Sequence, residues 1–295
     1  MLLGSILYAT LLAACQPPSV TPGTPIVIRI AGATAMQPVL YDLTAAFTRQ
    51  HPTILFEVAG GGSTIGEERL AAGQIDLAAS TLLSPTVPST GQQGRSVALA
   101  VRTPIGIDGL TLIVHPSNPI ENLTTEQLQA LYRGNILTWA EVGGAPTEVL
   151  LTSREDGSGN RQLFETRIMG KDRVSLTAVV LPSNADMVDY VAKHPDAIGY
   201  VSHAYVTSLL DQPQEDNPPP TESTQNASGT PAVKIVALDG QLPTQSALQS
   251  QSYPLLQPIY LVSRTNPTDW LQQFIDFALS PAGQAIVGRY HARVR

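Results

Sequence analysis

Apolar positions along this chain fall into short blocks of aliphatic and β-branched residues. Each block is followed by a loop of small polar residues and then by apolar positions three and four apart. Ile26-Val27-Ile28-Arg29-Ile30 is the first block and predicts a buried strand. Beyond the loop that follows, Met36, Val39, Leu40, Leu43, Ala46 and Phe47 recur at helical spacing, with Pro38 in the first turn, where its missing N–H is not needed. The pattern repeats with a strand at 54–58, a loop Gly60-Gly61-Gly62-Ser63-Thr64, a helix to Ala72 and a strand at 75–79. A third unit runs from a strand at 149–152 through a polar loop, 153–160, into a helix carrying Leu163, Phe164 and Ile168. Strand and helix alternating in this way predict α/β layers with parallel strands.

Between and after these units, 110–114 reads as a strand. Thr124-Thr125-Glu126-Gln127 has capping-box spacing at the start of a helix that ends near Gly134. Ser183 to Asp186 has the same spacing ahead of Met187, Val188 and Val191, and 198–201 reads as a strand. From Asp211 to Pro231 the chain is Pro, Gln, Asn, Ser, Thr and Glu without an apolar period, which predicts a mobile surface insertion. Order resumes with strands at 233–238 and 258–263. Two helices close the chain, the second with Ser280 as N-cap and Pro281 at its first position.

Composition narrows the picture. The 295 residues suffice for two lobes with separate cores, and a net charge of −7 without a basic stripe argues against a nucleic-acid partner. Five His and one Cys leave little for a Cys/His metal site and nothing for an internal disulfide, so no metal or cofactor is expected. The lone Cys ends an apolar stretch, Leu2 to Leu12, that is too short to span a bilayer but suits a signal-peptide core. Leu12-Ala13-Ala14-Cys15 resembles the bacterial lipobox. That resemblance implies a signal peptide over 1–14, a lipid on Cys15 that ties the protein to the membrane, and a Pro-rich tether over 15–25.

The three strand-to-helix loops share one chemistry: small residues, hydroxyl side chains, unpaired backbone N–H groups and a helix N-terminus behind them, all of which favour an anion. The third also carries Arg154, able to contact an oxyanion through two N–H groups or, more plainly, to pair with Glu155 or Asp156. Ser158 sits in a Gly-Ser-Gly turn, but the spacing is not Gly-x-Ser-x-Gly and no motif ties a His to it, so an enzyme is not expected. Asp108, His115, His194 and His203 read as loop or strand-end residues. Trp139, Trp270, Tyr200 and Tyr205 read as packing residues rather than a sugar platform.

Five motifs in order carry a family resemblance. They are Ala31-Gly32-Ala33-Thr34; Gly61-Gly62-Ser63 with Gln74-Ile75-Asp76-Leu77-Ala78-Ala79-Ser80; Asn122-Leu123-Thr124 through Thr138-Trp139-Ala140-Glu141-Val142-Gly143-Gly144; Ser153-Arg154-Glu155-Asp156-Gly157-Ser158-Gly159; and Ala197-Ile198-Gly199-Tyr200-Val201. Together they resemble the phosphate-binding component of bacterial ABC importers, a type II periplasmic binding protein. The resemblance implies two Rossmann-like lobes joined by a two-strand hinge, lobe 1 over 26–106 and 258–295 and lobe 2 over 107–257. It implies an extracytoplasmic monomer that captures inorganic phosphate in the cleft and hands it to a membrane permease. Carried over by position, the ligand contacts fall on Thr34 and Ala35, on Ser63, and on Arg154, Ser158, Gly159 and Asn160, with Ala35 and Gly159 acting through backbone N–H. Asp156 matches an acidic residue that pairs with the Arg. Asn160 replaces the usual hydroxyl residue, and Thr81 stands where phosphate binders carry an Asp that accepts the proton of hydrogen phosphate. Sulfate or another tetrahedral oxyanion, and a sensing rather than transport role, remain open on these residues.

Overall fold

The computed structural model describes residues 24–84, 100–210 and 233–294. The expected signal peptide, Cys15, most of the tether and the 211–231 insertion lie outside them. In chain order the elements are β1 (Ile26–Gly32), α1 (Gln37–Gln50), β2 (Ile54–Ala59), α2 (Ser63–Ala71), β3 (Leu77–Ser80), β4 (Ala100–Val114), β5 (Asn122–Leu123) and α3 (Thr125–Arg133). There follow β6 (Leu150–Arg154), α4 (Gly159–Phe164), β7 (Val179–Leu181), α5 (Asn184–Lys193), β8 (Ala197–Ser202) and α6 (His203–Leu210). The chain closes with β9 (Lys234–Leu238), α7 (Gln245–Gln249), β10 (Leu256–Arg264), α8 (Asp269–Leu279), α9 (Pro281–Val287) and β11 (Ala292–Arg293).

The strands form one curled sheet, ordered β2-β1-β3-β10-β4-β8-β6-β7, that runs through two α/β lobes. In the first lobe β2, β1 and β3 are parallel, and in the second β7, β6 and β8 are parallel, as the strand and helix alternation requires. Long antiparallel strands β4 and β10 join the lobes, paired from Ala100↔Arg264 to Gly109↔Leu256 with a register shift at Ile259/Tyr260. The expected strand at 110–114 is only the end of β4. Its first ten residues, broken by Pro104, Gly106 and Gly109, carry no clean period, and pairing with β10 rather than local propensity extends them.

Each lobe has its own apolar core. Ile28, Ile30, Val39, Leu43 and Phe47 pack with Ile259, Leu261, Phe274 and Ile275 in the first. Leu112, Leu128, Tyr132, Trp139, Phe164 and Tyr200 pack in the second, where Phe164 and Tyr200 stack with centroids 4.3 Å apart. Burying side chains of this size stabilises by about 1.5–3 kcal/mol each. Local signals set the helix ends: Thr124 and Gln127 complete the capping box of α3, Gly134 closes that helix in the left-handed conformation, and Ser183 and Ser280 cap α5 and α9. Ile26 and Val27 are exposed at the outer end of β1, and burial in the first strand begins at Ile28, with Arg29 still exposed. Among the described residues no helix is long and apolar enough to cross a membrane.

Candidate functional site

Every loop expected to hold an anion ends at the cleft between the lobes. After β1, Ala33 leads into a 3-10 turn, Thr34–Met36, whose first N–H groups have no acceptor within the turn. After β2, Gly62 turns the chain with φ 87°, a left-handed geometry suited to Gly, and Ser63 opens α2. After β6, Ser158 caps α4, its Oγ accepting the Arg161 N–H at 3.4 Å. The hydroxyl hydrogen of Ser158 is thereby left for another acceptor.

These loops surround a void of about 10 Å³ lined by Ala33, Thr34, Ala35, Gly62, Ser63, Thr81, Arg154, Ser158, Gly159, Asn160 and Asn184. The volume lies well below the roughly 300–1,000 Å³ of a drug-sized ligand site, so the space suits a small ion. The lobes touch around it. Thr64 N–H donates to the Gly157 carbonyl at 3.1 Å, Leu83 N–H to Gln162 Oε1 at 2.7 Å, and Asn184 Nδ2 to Thr34 Oγ1 at 3.3 Å. Gly159 lies so close to Thr81 that a Cβ built on it would stand 2.0 Å from Thr81 Oγ1.

Arg154 supplies the charge. It is only 2% exposed, and Nε and Nη2 are held at 3.0 Å each by Glu155 and also donate to the carbonyls of Leu181 and Pro182. Nη1 donates to Asn184 Oδ1 at 3.3 Å, and its second hydrogen is free for the void. The strand end that carries it is braced by Tyr200, whose hydroxyl contacts Ser153 Oγ at 2.8 Å and accepts the Arg154 N–H. Burial pushes the Tyr200 phenol up to about 12, so it stays neutral beside the guanidinium.

One expected contact is corrected. Asp156 lines no part of the void: its side chain is 94% exposed and pairs with Arg161 Nη1 at 2.6 Å. The clamp on Arg154 is the neighbouring Glu155. Both residues lie beyond the end of β6, where the chain turns, and that turn leaves Glu155 beside the guanidinium and Asp156 in solvent. Arg161, which also donates to Glu165 and to the Arg154 carbonyl, draws Asp156 outward.

The remaining expected residues meet at the void. Thr81 is buried, its N–H donates to Ser63 Oγ at 3.1 Å and the two hydroxyls are 3.4 Å apart. Behind it Arg102, stacked over the Tyr260 ring, donates to Ser80 Oγ and the Leu82 carbonyl and fixes the loop. Asn160 is present, but its side chain is committed to protein partners, accepting from Gln257 Nε2 at 2.7 Å and donating to Asn184 Oδ1 at 3.0 Å. Asn184 itself was not among the expected residues. The capping spacing at Ser183 marks the helix start, yet nothing in that spacing says the helix points at the cleft.

A family model described as the PBP superfamily domain matches residues 19–282. Among curated proteins, the phosphate-binding protein PstS of Bacillus subtilis (strain 168) is 22% identical over 254 residues, covering 86% of this chain and 75% of its own. PstS of Borreliella burgdorferi is 22% identical over 269 residues, covering 88% and 87%. Among solved structures, a substrate-binding protein from Clostridium perfringens, assigned to phosphate ABC transport and solved with bound phosphate, superposes with a TM-score of 0.76 at 26% identity, covering 92% of this chain and 100% of its own. An ABC-type phosphate transport receptor from Vibrio cholerae gives a TM-score of 0.63 at 26% identity, covering 89% and 98%.

Proposed function

This chain belongs to the PBP superfamily, and from that membership we propose that it is an extracytoplasmic solute-binding lipoprotein that captures inorganic phosphate between its lobes and delivers it to an ABC importer. The observation that carries the reading is the void itself, where hydroxyl, amide and backbone donors from both lobes converge with one buried guanidinium. Glu155 neutralises much of the Arg154 charge, so the anion is held chiefly by oriented dipoles. Binding without catalysis is supported by Ser158, whose hydroxyl caps α4.

A second reading, sulfate or another tetrahedral oxyanion, is favoured by one feature. No carboxylate is among the residues lining the void, and Thr81 is the group that would meet the proton of hydrogen phosphate. A hydroxyl can accept that proton but carries no charge to repel an unprotonated anion. Calorimetry on the mature domain with phosphate, sulfate, molybdate and tungstate tests the proposal, and phosphate is expected to bind. Silence with all four at millimolar levels removes it. In competition, Thr81→Asp is expected to lower sulfate binding far more than phosphate binding, and equal effects would show that position 81 does not discriminate.

Anchoring rests on Leu12-Ala13-Ala14-Cys15. Cys15→Ser is expected to release the protein from membranes. A variant that remains membrane-bound at unchanged mass would refute the lipid.

A further inference from the structure

Asn184 opens α5 in the second lobe and is fully buried. On one side of its amide stand Arg154 Nη1 and the Ser202 backbone N–H, each at 3.3 Å, and Asn160 Nδ2 at 3.0 Å. On the other side, across the cleft, is Thr34 Oγ1 at 3.3 Å. A guanidinium and a backbone N–H can only donate, so the atom facing them must be the amide oxygen. Nδ2, which can only donate, is thereby turned to Thr34. A hydroxyl that accepts there cannot aim its own hydrogen at Asn184, and the open direction is the void. The same rule runs the other way: Asn160 gives Nδ2 to Asn184, so its Oδ1 faces Gln257 Nε2 on β10, the strand that joins the lobes. The three amides thus form a chain with one direction, Gln257 to Asn160 to Asn184 to Thr34.

We infer that Asn184 is a positioning residue that fixes the Thr34 hydroxyl as a donor to the bound oxyanion, an assignment that rests on the anion-binding reading above. The oxygen meeting Thr34 then acts as an acceptor, a part that an unprotonated, charged phosphate oxygen fills better than a P–O–H oxygen. The proton of hydrogen phosphate is left to other groups of the lining, among them the paired hydroxyls of Thr81 and Ser63. Because Asn184 and Thr34 belong to different lobes, the donor is set only when the lobes are together.

The test is a double-mutant cycle read by calorimetry with inorganic phosphate, using wild type, Thr34→Val, Asn184→Asp and the double variant. A carboxylate at 184 keeps the acceptor for Arg154 and Asn160 but draws the Thr34 hydrogen away from the anion. In the wild type Thr34→Val is expected to weaken binding about tenfold or more, as loss of a hydrogen bond to a charged group does. In the Asn184→Asp background the same substitution is expected to cost no more than about threefold, and the charge added at 184 cancels from the comparison. Melting curves without ligand report folding. Asn184→Ala, which removes the donor without adding charge, repeats the cycle, and there Thr34→Val is expected to cost at least about threefold less than in wild type. Equal costs of Thr34→Val in every background would overturn the role of Asn184 while leaving the anion site standing. A wild type that binds no oxyanion would overturn both.

Discussion

Arg154→Ala is expected to lower phosphate affinity by about two orders of magnitude or more. A hydrogen bond to a charged group is worth about 1.5–3 kcal/mol, and loss of one member of a buried ion pair costs about 3–5 kcal/mol because the other is left uncompensated. Here the abandoned groups are the Glu155 carboxylate and the carbonyls of Leu181 and Pro182, and the carboxylate leaves an uncompensated negative charge beside the site. Some loss of stability accompanies this, so ligand-free melting is measured beside the titration. A paired comparison sharpens the result. Glu155→Ala should weaken binding clearly, whereas Asp156→Ala, at an exposed position paired with Arg161, should change affinity by no more than about twofold. The reverse ranking would show that Asp156, not Glu155, clamps the arginine in solution.

Gly159→Ala is expected to abolish tight binding while leaving the fold as stable as before or slightly more so. Gly159 is the first residue of α4, where alanine is intrinsically the better helix former by up to about 1 kcal/mol. The added methyl, however, would stand 2.0 Å from Thr81 Oγ1 and 3.0 Å from the Thr81 carbonyl carbon, and the latter is backbone of the other lobe. The side chain can rotate away, but the backbone can yield only if the lobes stay apart. The loss should therefore fall on lobe closure rather than on folding. The signature is a melting temperature that no longer rises with phosphate, because stabilisation by ligand follows RT ln(1 + [L]/Kd) and vanishes when Kd is large. A variant that binds normally would place Gly159 away from Thr81 in the liganded state.

The amino-acid sequence by itself determined what short-range physics controls. Period two or 3.6 over a few residues marks β1, α1, β2, α2 and α5, because each buries one face against its own layer. Thr124 with Gln127, and Ser183 and Ser280, mark helix starts, because a cap is made within four residues of chain. The three loops of small and hydroxyl residues ahead of helices were legible for the same reason, and so was the place of Arg154 within one of them. Ser63, Ser158 and Gly159 were legible as members of motifs, and Thr81 and Asn160 as the positions just after them, though none as neighbours of one another.

Only the tertiary structure decided the contacts on which the site turns. Whether Glu155 or Asp156 faces Arg154 depends on the course of the turn after β6, which is set by what packs around it rather than by a local period. The start of β4 exists as strand because β10, some 150 residues later, supplies its hydrogen-bond partners. Asn184 reads locally as an ordinary first residue of a capped helix. It reaches the cleft only because β6, β7 and β8 pack side by side and aim α5 at Thr34, 150 residues earlier in the chain. Pairings of that kind depend on how two lobes are set against each other, and no periodicity within either lobe encodes it.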